Sequence, residues 1–124
     1  MRQILPGLLA VLLVASGGAA ARDVRVIDGD TIELDGERIR IMGLDAPETH
    51  PSRFDTEYRL GMAAIERLRV LVAGGVQIRS YGQGRYHRTL AIVRDSRGHD
   101  VAGILIREGL ARPYDGRGRR QPWC

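Results

Sequence analysis

The sequence predicts a mainly β domain that also contains α-helices. Five short strands are expected to form a small barrel, accompanied by one long and one short helix. Short runs with strand-like alternation of apolar and polar residues recur along the chain, separated by turns rich in glycine. Between the third and fourth runs, apolar residues recur at helical spacing. The chain has 124 residues, 44% of them hydrophobic and 27% charged, which predicts a single domain with one modest core.

The first 21 residues have the pattern of a secretory signal peptide. A basic residue, Arg2, precedes an apolar run over Ile4–Val14, and Ala19–Ala21 fits a small-residue cleavage site. Cleavage there predicts a secreted or periplasmic protein with no stable membrane association. The alternative is an uncleaved membrane anchor, although a span needs about 20 predominantly apolar residues.

The mature chain opens with a predicted meander of three strands. Thr31–Leu34 and Arg38–Ile41 both alternate, and Asp35-Gly36 between them predicts a tight hairpin turn because both residues tolerate a positive φ. The hairpin is expected to bring Asp30 and Arg40 close together. It also predicts that three or four carboxylates converge near one end of the sheet, a donor set that suits a hard cation such as calcium.

The remaining elements follow from helical spacing and further alternation. A helix is predicted over Thr56–Ala73, ended by Gly74-Gly75. Val76–Ser80 and Arg88–Arg94 are predicted strands, and a short helix is predicted over Asp100–Arg107 with its first residue as the cap. The order β-β-β-α-β-β-α is typical of the five-stranded OB-fold barrel, whose sheet face and loops often bind nucleic acid.

The charge and the cysteine content of the chain limit the kinds of partner and metal site that fit the sequence. The formal net charge is +4 and the sequence pI about 10.0, which favours a polyanionic partner. All 19 basic residues are arginine, whose planar fork binds phosphate through two hydrogen bonds, although a codon bias towards arginine explains the same composition. The sequence has one cysteine, Cys124, and no Cys/His cluster of the kind that binds zinc.

Four separated motifs occur in a characteristic order. They are VIDGDT at Val26–Thr31, RIMGLDAPET at Arg40–Thr49, RYHRTLA at Arg85–Ala91 and REGLA at Arg107–Ala111. Together they resemble the staphylococcal nuclease (thermonuclease) family, in register from Val24 to Tyr114. The resemblance implies an OB-fold barrel that hydrolyses DNA and RNA phosphodiester bonds with calcium. We expect a monomer.

The resemblance also implies a set of metal ligands. By position, Asp30 and Asp45 resemble the family's direct ligands. Ala46 matches a position that coordinates through its backbone carbonyl, and Asp28 resembles an outer-sphere carboxylate. For Asp28-Gly29-Asp30 considered alone, the competing interpretation is a turn that enters a strand.

The catalytic and substrate-binding residues are implied in the same way. Glu48 matches the proposed general base, and Arg40 and Arg88 match the two arginines that clamp the phosphate. Tyr114 falls near a tyrosine that stacks on the nucleotide, and with Arg85 it is assigned to substrate binding. For Arg40, pairing with Glu33 across the hairpin is a competing interpretation.

The chain departs from the family pattern in places. His87 stands where glycine is commoner, and the Arg-rich tail 113–124 is shorter than the family's final long helix. The predicted nuclease-like domain covers residues 22–112, and composition predicts that the tail after it is flexible. Trp123 in this tail is expected to fold back as a cap on the barrel; the alternative is that it stacks on a base. The main functional alternative is an OB-fold module that binds single-stranded nucleic acid without cutting it.

Overall fold

The computed structural model describes residues 23–49 and 55–123. The predicted signal peptide, residues 50–54 and Cys124 therefore lie outside the described residues. The elements are β1 (Val24–Asp28), β2 (Thr31–Leu34), β3 (Glu37–Ile41), β4 (Leu44–Asp45), α1 (Asp55–Val72), β5 (Val76–Gln83), β6 (Thr89–Asp95), α2 (Val101–Arg107) and β7 (Arg112–Pro113). No helix within these described ranges is long and apolar enough to cross a membrane.

The hairpin of β2 and β3 forms as its sequence predicts. Asp35 and Gly36 adopt φ values of 50° and 83°, the left-handed conformation that a two-residue turn requires. In the resulting register Thr31 lies opposite Arg40, next to Asp30. The residues before β2 and those at the end of β3 therefore meet at the same edge of the sheet.

The sheet has five strands in the order β1-β2-β3-β6-β5, with β3 and β6 parallel and the other pairs antiparallel. This mixed sheet with two helices is consistent with an OB-like fold. The expected barrel, however, is not closed, because β1 and β5 remain the two edges among the described strands. The five-residue β1 has an irregularity between Val26 and Asp28 and packs against α1 instead.

The core lies between the sheet and the two helices. The inward residues of β3 and β6 alternate with outward ones, as period-two strands require. Burying an aliphatic side chain of this size contributes about 1.5–3 kcal/mol. The fully buried aliphatic residues of the core include Ile32, Ile39, Ile41, Leu44, Leu68, Val76, Val93, Val101 and Leu105.

The predicted boundaries of the later elements hold to within a few residues. Helix α1 begins and ends one residue before the predicted limits, and β5 continues three residues beyond Ser80 to Gln83. Asp100 lies at the N-cap of α2 as predicted, but its side chain makes no capping hydrogen bond.

The tail after residue 111 begins with a short strand. Arg112 and Pro113 form β7, which pairs antiparallel with β4 so that Arg112 lies opposite Asp45. The Tyr114 amide continues the attachment by donating a hydrogen bond of 3.1 Å to the Gly43 carbonyl. This pairing leads residues 114–123 back over the end of the sheet where the carboxylates lie.

Candidate active site

Two buried aspartates form the base of the site. Asp30 directly precedes β2 and Asp45 lies on β4, and their exposed fractions are 5% and 3%. The Thr31 hydroxyl donates a hydrogen bond of 2.9 Å to Asp30 Oδ1 and so orients that carboxylate. Gly29 allows the close approach of the two segments, because a β-carbon there would lie 2.8 Å from the Ala46 β-carbon.

Arg40 lies beside Asp30 with its guanidinium already oriented. Its Nη1 donates hydrogen bonds to the carbonyls of Ile41 (2.7 Å) and Leu44 (3.1 Å), and its Nη2 is 3.6 Å from Asp30 Oδ2. The hairpin thus brings Asp30 and Arg40 together as predicted.

The competing pairing of Arg40 with Glu33 is wrong. Glu33 instead forms an ion pair with Arg25 of β1, at 2.7 Å. The register explains this outcome, since Arg38, not Arg40, is the residue opposite Glu33 on β3.

Glu48 follows Asp45 on a loop that α1 holds in place. Gly61 of α1 contacts this loop, where a β-carbon would lie 2.6 Å from Thr49 Cγ2 and 2.8 Å from the Pro47 carbonyl oxygen. The Thr49 hydroxyl also donates a hydrogen bond of 3.3 Å to Asp28 Oδ1. The loop is therefore fixed to the helix on one side and to the end of β1 on the other.

The Glu48 carboxyl is in an unusual electrostatic environment. Its pKa is raised from the ordinary value of 4.5, first by burial and then by the negative charge of Asp30, with smaller contributions from Asp28 and Asp45. The positive charge of Arg120 opposes this rise. A carboxyl with a raised pKa is a stronger base than an ordinary one, which suits a residue that accepts a proton.

Arg120 is a site residue that no pattern in the sequence predicts. Its Nη1 lies 2.9 Å from Asp45 Oδ1, 3.2 Å from Glu48 Oε2 and 4.0 Å from Asp30 Oδ2. A single nitrogen therefore faces three carboxylates. Because Arg120 follows Asp45 by 75 residues in a tail without periodic pattern, no spacing signal links the two.

Trp123 completes the contact between the tail and the site. Its indole Nε1 donates to Asp45 Oδ2 at 3.4 Å, and its ring lies 3.8 Å from the Arg112 guanidinium carbon. Arg112 also donates a hydrogen bond of 2.9 Å to the Pro122 carbonyl. Trp123 thus folds back onto the domain, as favoured from the sequence.

Arg88 does not contact the carboxylates in this conformation. Its Nε donates to the Arg85 carbonyl at 3.4 Å, and its guanidinium carbon lies 5.5 Å from the ring centre of Tyr86, which is 81% exposed. Arg88 immediately precedes β6, whose Leu90 is the register partner of Arg40. Because residues 88 and 90 share one face of an extended chain, Arg88 lies on the same outward face as Arg40.

The turn Arg85–His87 before Arg88 has unusual backbone angles. Tyr86 and His87 adopt φ values of 60° and 58°. His87 thus occupies a conformation that glycine adopts without steric cost.

Tyr114 directly follows β7. It is half-buried, and its hydroxyl donates a hydrogen bond of 2.9 Å to the Gly118 carbonyl. With Gly43, Pro113 and Asp115 it lines an open groove of about 410 Å³. Arg85, the other residue predicted to bind substrate, is exposed on the turn before Arg88.

Residues 38–122 match the family described as staphylococcal nuclease homologues. The chain belongs to this family. The matched segment includes Arg40, Asp45, Glu48 and Arg88 and extends through the tail that carries Arg120, whereas Asp30 lies before it. The resemblance predicted from four sequence motifs is thereby confirmed.

Curated relatives of this chain include a protein named as an endonuclease. Over 122 residues, this staphylococcal nuclease homologue is 32% identical to a protein of Escherichia coli O157:H7 named uncharacterized endonuclease, covering 93% of this chain and 75% of the relative. It is 34% identical over 116 residues to the succinoglycan biosynthesis protein ExoI of Rhizobium meliloti, strain 1021, covering 86% of this chain and 61% of that relative. It is also 33% identical over 127 residues to protein ParB of Escherichia coli, covering 90% and 68%.

The donor set of this staphylococcal nuclease homologue is compatible with a hard cation. Within residues 23–49 and 55–123, no group of three or more acidic, histidine or cysteine side chains is arranged as a metal cage. The two buried aspartates nevertheless face one cationic nitrogen, together with Glu48. Carboxylate oxygens are the donors that calcium prefers, and calcium sites commonly add backbone carbonyls and waters. The residues fit a site with two carboxylate ligands better than a closed cage.

Proposed function

We propose that this nuclease is a calcium-dependent endonuclease that hydrolyses phosphodiester bonds in DNA and RNA. The observation that carries the proposal is the convergence of Asp30, Asp45 and Glu48 on one cationic nitrogen, with the oriented guanidinium of Arg40 beside them. Three carboxylates this close repel one another unless a cation lies among them. Such a group is expected where a cation and an anionic substrate are bound together.

In this proposal Asp30 and Asp45 hold the cation, with the Ala46 carbonyl as a further donor and Asp28 in the outer sphere. When bound, calcium supplies a Lewis acid that polarises a phosphoryl oxygen. The burial of both aspartates favours this role, because their carboxylates are held in fixed positions by the surrounding contacts.

Arg40 and Arg88 bind the phosphate in this scheme. Negative charge accumulates on the phosphoryl oxygens as water attacks, and a guanidinium that donates two parallel hydrogen bonds stabilises that charge. Arg40 is held in place by the carbonyls of Ile41 and Leu44 and loses little freedom when substrate binds. Arg88 lies on the same face and must leave Tyr86 and the Arg85 carbonyl to reach the phosphate.

Glu48 is the general base. Its raised pKa increases its affinity for the proton of the attacking water, and its half-buried position on the loop leaves the carboxylate accessible. Tyr114, with the groove beside it, is proposed to contact a base of the nucleic acid, and Arg85 a neighbouring phosphate.

The direct test is cleavage of DNA and of RNA by the purified protein in calcium, in magnesium and in chelator. We expect cleavage in calcium only, and Asp45→Asn is expected to reduce it by at least about 10–100-fold, which is what loss of an outer-shell partner of a metal costs. Glu66→Gln, which removes an exposed carboxylate on α1, is the matched control and should cut normally. Substrate that is bound but stays intact in calcium would favour the non-catalytic binding module instead.

We also propose that the enzyme is exported and acts as a monomer. The support is the sequence alone, with Arg2 before an apolar run and a small-residue cleavage site. N-terminal sequencing of the protein recovered outside the cytoplasm should begin near Arg22, whereas an intact Met1 would support an anchor. Light scattering should give the mass of one chain.

A further inference from the structure

The tail of this protein places a positive charge where the proposed cation would be held. Arg120 Nη1 contacts Asp45 and Glu48 and lies 4.0 Å from Asp30, and its side chain remains 42% exposed. Calcium and this guanidinium would share the same carboxylates. Both cannot have full contact with Asp45 and Asp30 at once.

The tail holds this position through several separate contacts. β7 pairs with β4 directly beside Asp45, which fixes the start of the segment. At its far end, the Trp123 indole donates to Asp45 and its ring lies on the Arg112 guanidinium. Arg120 lies between these two attachments. The segment 114–123 is therefore a strap that crosses the acidic site.

The part of the strap that covers the site is held by little apolar burial. Residues 115–122 are exposed, and apolar burial there is slight. The contacts of Arg120 with the site are electrostatic, so a competing divalent cation weakens them directly. Release of the strap need not disturb β7, whose two residues pair with β4 through the backbone.

We propose that the C-terminal strap is autoinhibitory, with Arg120 occupying the cation-binding carboxylates of the calcium-free enzyme until calcium displaces it. The inference rests on the proposed metal site. Calcium then has two effects, since it loads the site and also uncovers Asp45 and Glu48 for the substrate. A basic strap that has left the carboxylates is free to contact the nucleic acid backbone.

The expected effect on calcium affinity follows from mass action. The apparent dissociation constant equals the intrinsic one divided by the fraction of molecules in which the site is free. A strap that is bound in nine of ten molecules weakens the apparent calcium affinity about tenfold. Removing the positive charge of Arg120 should therefore make the apparent calcium affinity about tenfold stronger.

The test is calorimetric titration of calcium into three proteins without nucleic acid: wild type, Arg120→Gln and Arg119→Gln. Arg119 is the matched control, because it is exposed in the same segment and its loss changes the net charge equally. We expect Arg120→Gln to bind calcium about tenfold more tightly than wild type, and Arg119→Gln to stay within about twofold.

A second readout follows the strap itself. Trp123 is the one tryptophan of the chain, so intrinsic tryptophan emission reports the contact between the strap and Asp45. In wild type, calcium should shift this emission to longer wavelength with the midpoint of the calorimetric titration. In Arg120→Gln the emission should be shifted before calcium is added, with more quenching by acrylamide.

The outcomes separate this inference from the proposed function. Calcium binding of equal strength in wild type and Arg120→Gln, or weaker binding in the variant, overturns the autoinhibitory strap and leaves the metal site standing. Absence of calcium binding in all three proteins refutes the metal site and the strap with it. If Arg120→Gln folds poorly, a chain ended after Gly118 removes Arg120 by a second route and should bind calcium about tenfold more tightly than wild type.

Discussion

Gly61 of α1 lies so close to Thr49 that a β-carbon at position 61 would be 2.6 Å from the threonine methyl group. The same β-carbon would be 2.8 Å from the Pro47 carbonyl oxygen. The loop that carries Glu48 therefore rests directly on the backbone of the helix. This contact helps to hold the proposed base in position.

The contact predicts that Gly61→Ala damages both stability and activity. The methyl group must displace the loop or the helix, and overpacking of this kind typically costs about 1–3 kcal/mol. We expect a lower midpoint of chemical denaturation, and a fall in kcat that exceeds what the unfolded fraction explains. Both are measured on the purified protein.

Gly103→Ala in α2 is the control for that substitution. A β-carbon at position 103 would have its nearest neighbour at 3.4 Å, the end of the flexible Arg107 side chain, so alanine fits there. Alanine at a helical glycine that it fits stabilises by about 0.4–1 kcal/mol. A Gly61→Ala protein as stable and active as Gly103→Ala would refute the role of the contact.

The environment of Asp95 predicts that the stability of the folded protein depends on pH. The pKa of its carboxyl is lowered from the ordinary 3.8, first by the hydrogen bond from the His99 amide, then by the Arg97 amide and the His99 side chain. A carboxyl with a lowered folded pKa stabilises the protein above its unfolded pKa, and this contribution disappears as the pH falls through the folded value.

Asp95→Asn should therefore lower the melting temperature at neutral pH, and the difference from wild type should shrink at acidic pH as Asp95 becomes protonated. Thermal unfolding followed by circular dichroism between pH 7 and about pH 2 measures it. Asp100→Asn is the comparison, because the Asp100 side chain makes no capping hydrogen bond. A difference between wild type and Asp95→Asn that is independent of pH would contradict the assignment.

The parts of the fold that the sequence predicts well are those set by local chemistry. The Asp35-Gly36 turn fixes the register of β2 and β3, and that register alone places Asp30 beside Arg40. Helix α1 is also predicted by local chemistry, because its apolar residues recur at helical spacing. The resemblance to the nuclease family supplied the long-range arrangement that local patterns do not contain.

Other features depend on packing between distant segments and could not be predicted in this way. Closure of the barrel requires β1 to meet β5, and no local pattern reports that β1 packs on α1 instead. The tail is rich in arginine and lacks periodicity, so composition predicted flexibility. Its position depends on the acidic site itself, which exists only after the domain has folded and attracts Arg120.

The raised pKa of Glu48 predicts how its proton affinity responds to its neighbours in the calcium-free protein. Arg120→Gln removes a positive charge that lowers this pKa, so the pKa should rise further above 4.5. Asp28→Asn removes a negative charge that raises it, so the pKa should fall. Carbon NMR of the Glu48 carboxyl during an acid titration measures both.

The sign for stability is opposite to that of Asp95. Between pH 4.5 and the higher folded pKa, folded Glu48 still holds a proton that the unfolded chain has released, so stability falls as pH rises through that window. Glu48→Gln should abolish this fall in stability with rising pH. Identical pKa values of Glu48 in wild type, Arg120→Gln and Asp28→Asn would show that these charges do not act on it.

Arg40 provides the sharpest test of the chemical roles. Lysine at position 40 keeps the positive charge but loses the planar fork, which here is oriented by the carbonyls of Ile41 and Leu44. If the fork acts mainly on charge that develops in the transition state, Arg40→Lys lowers kcat by about 100-fold or more and changes substrate binding much less. Arg38→Lys is the control, since Arg38 is exposed on the same strand and lies opposite Glu33. A rise in KM with kcat unchanged would instead show that Arg40 binds the ground state and transition state equally, and would leave transition-state stabilisation to the cation and Arg88.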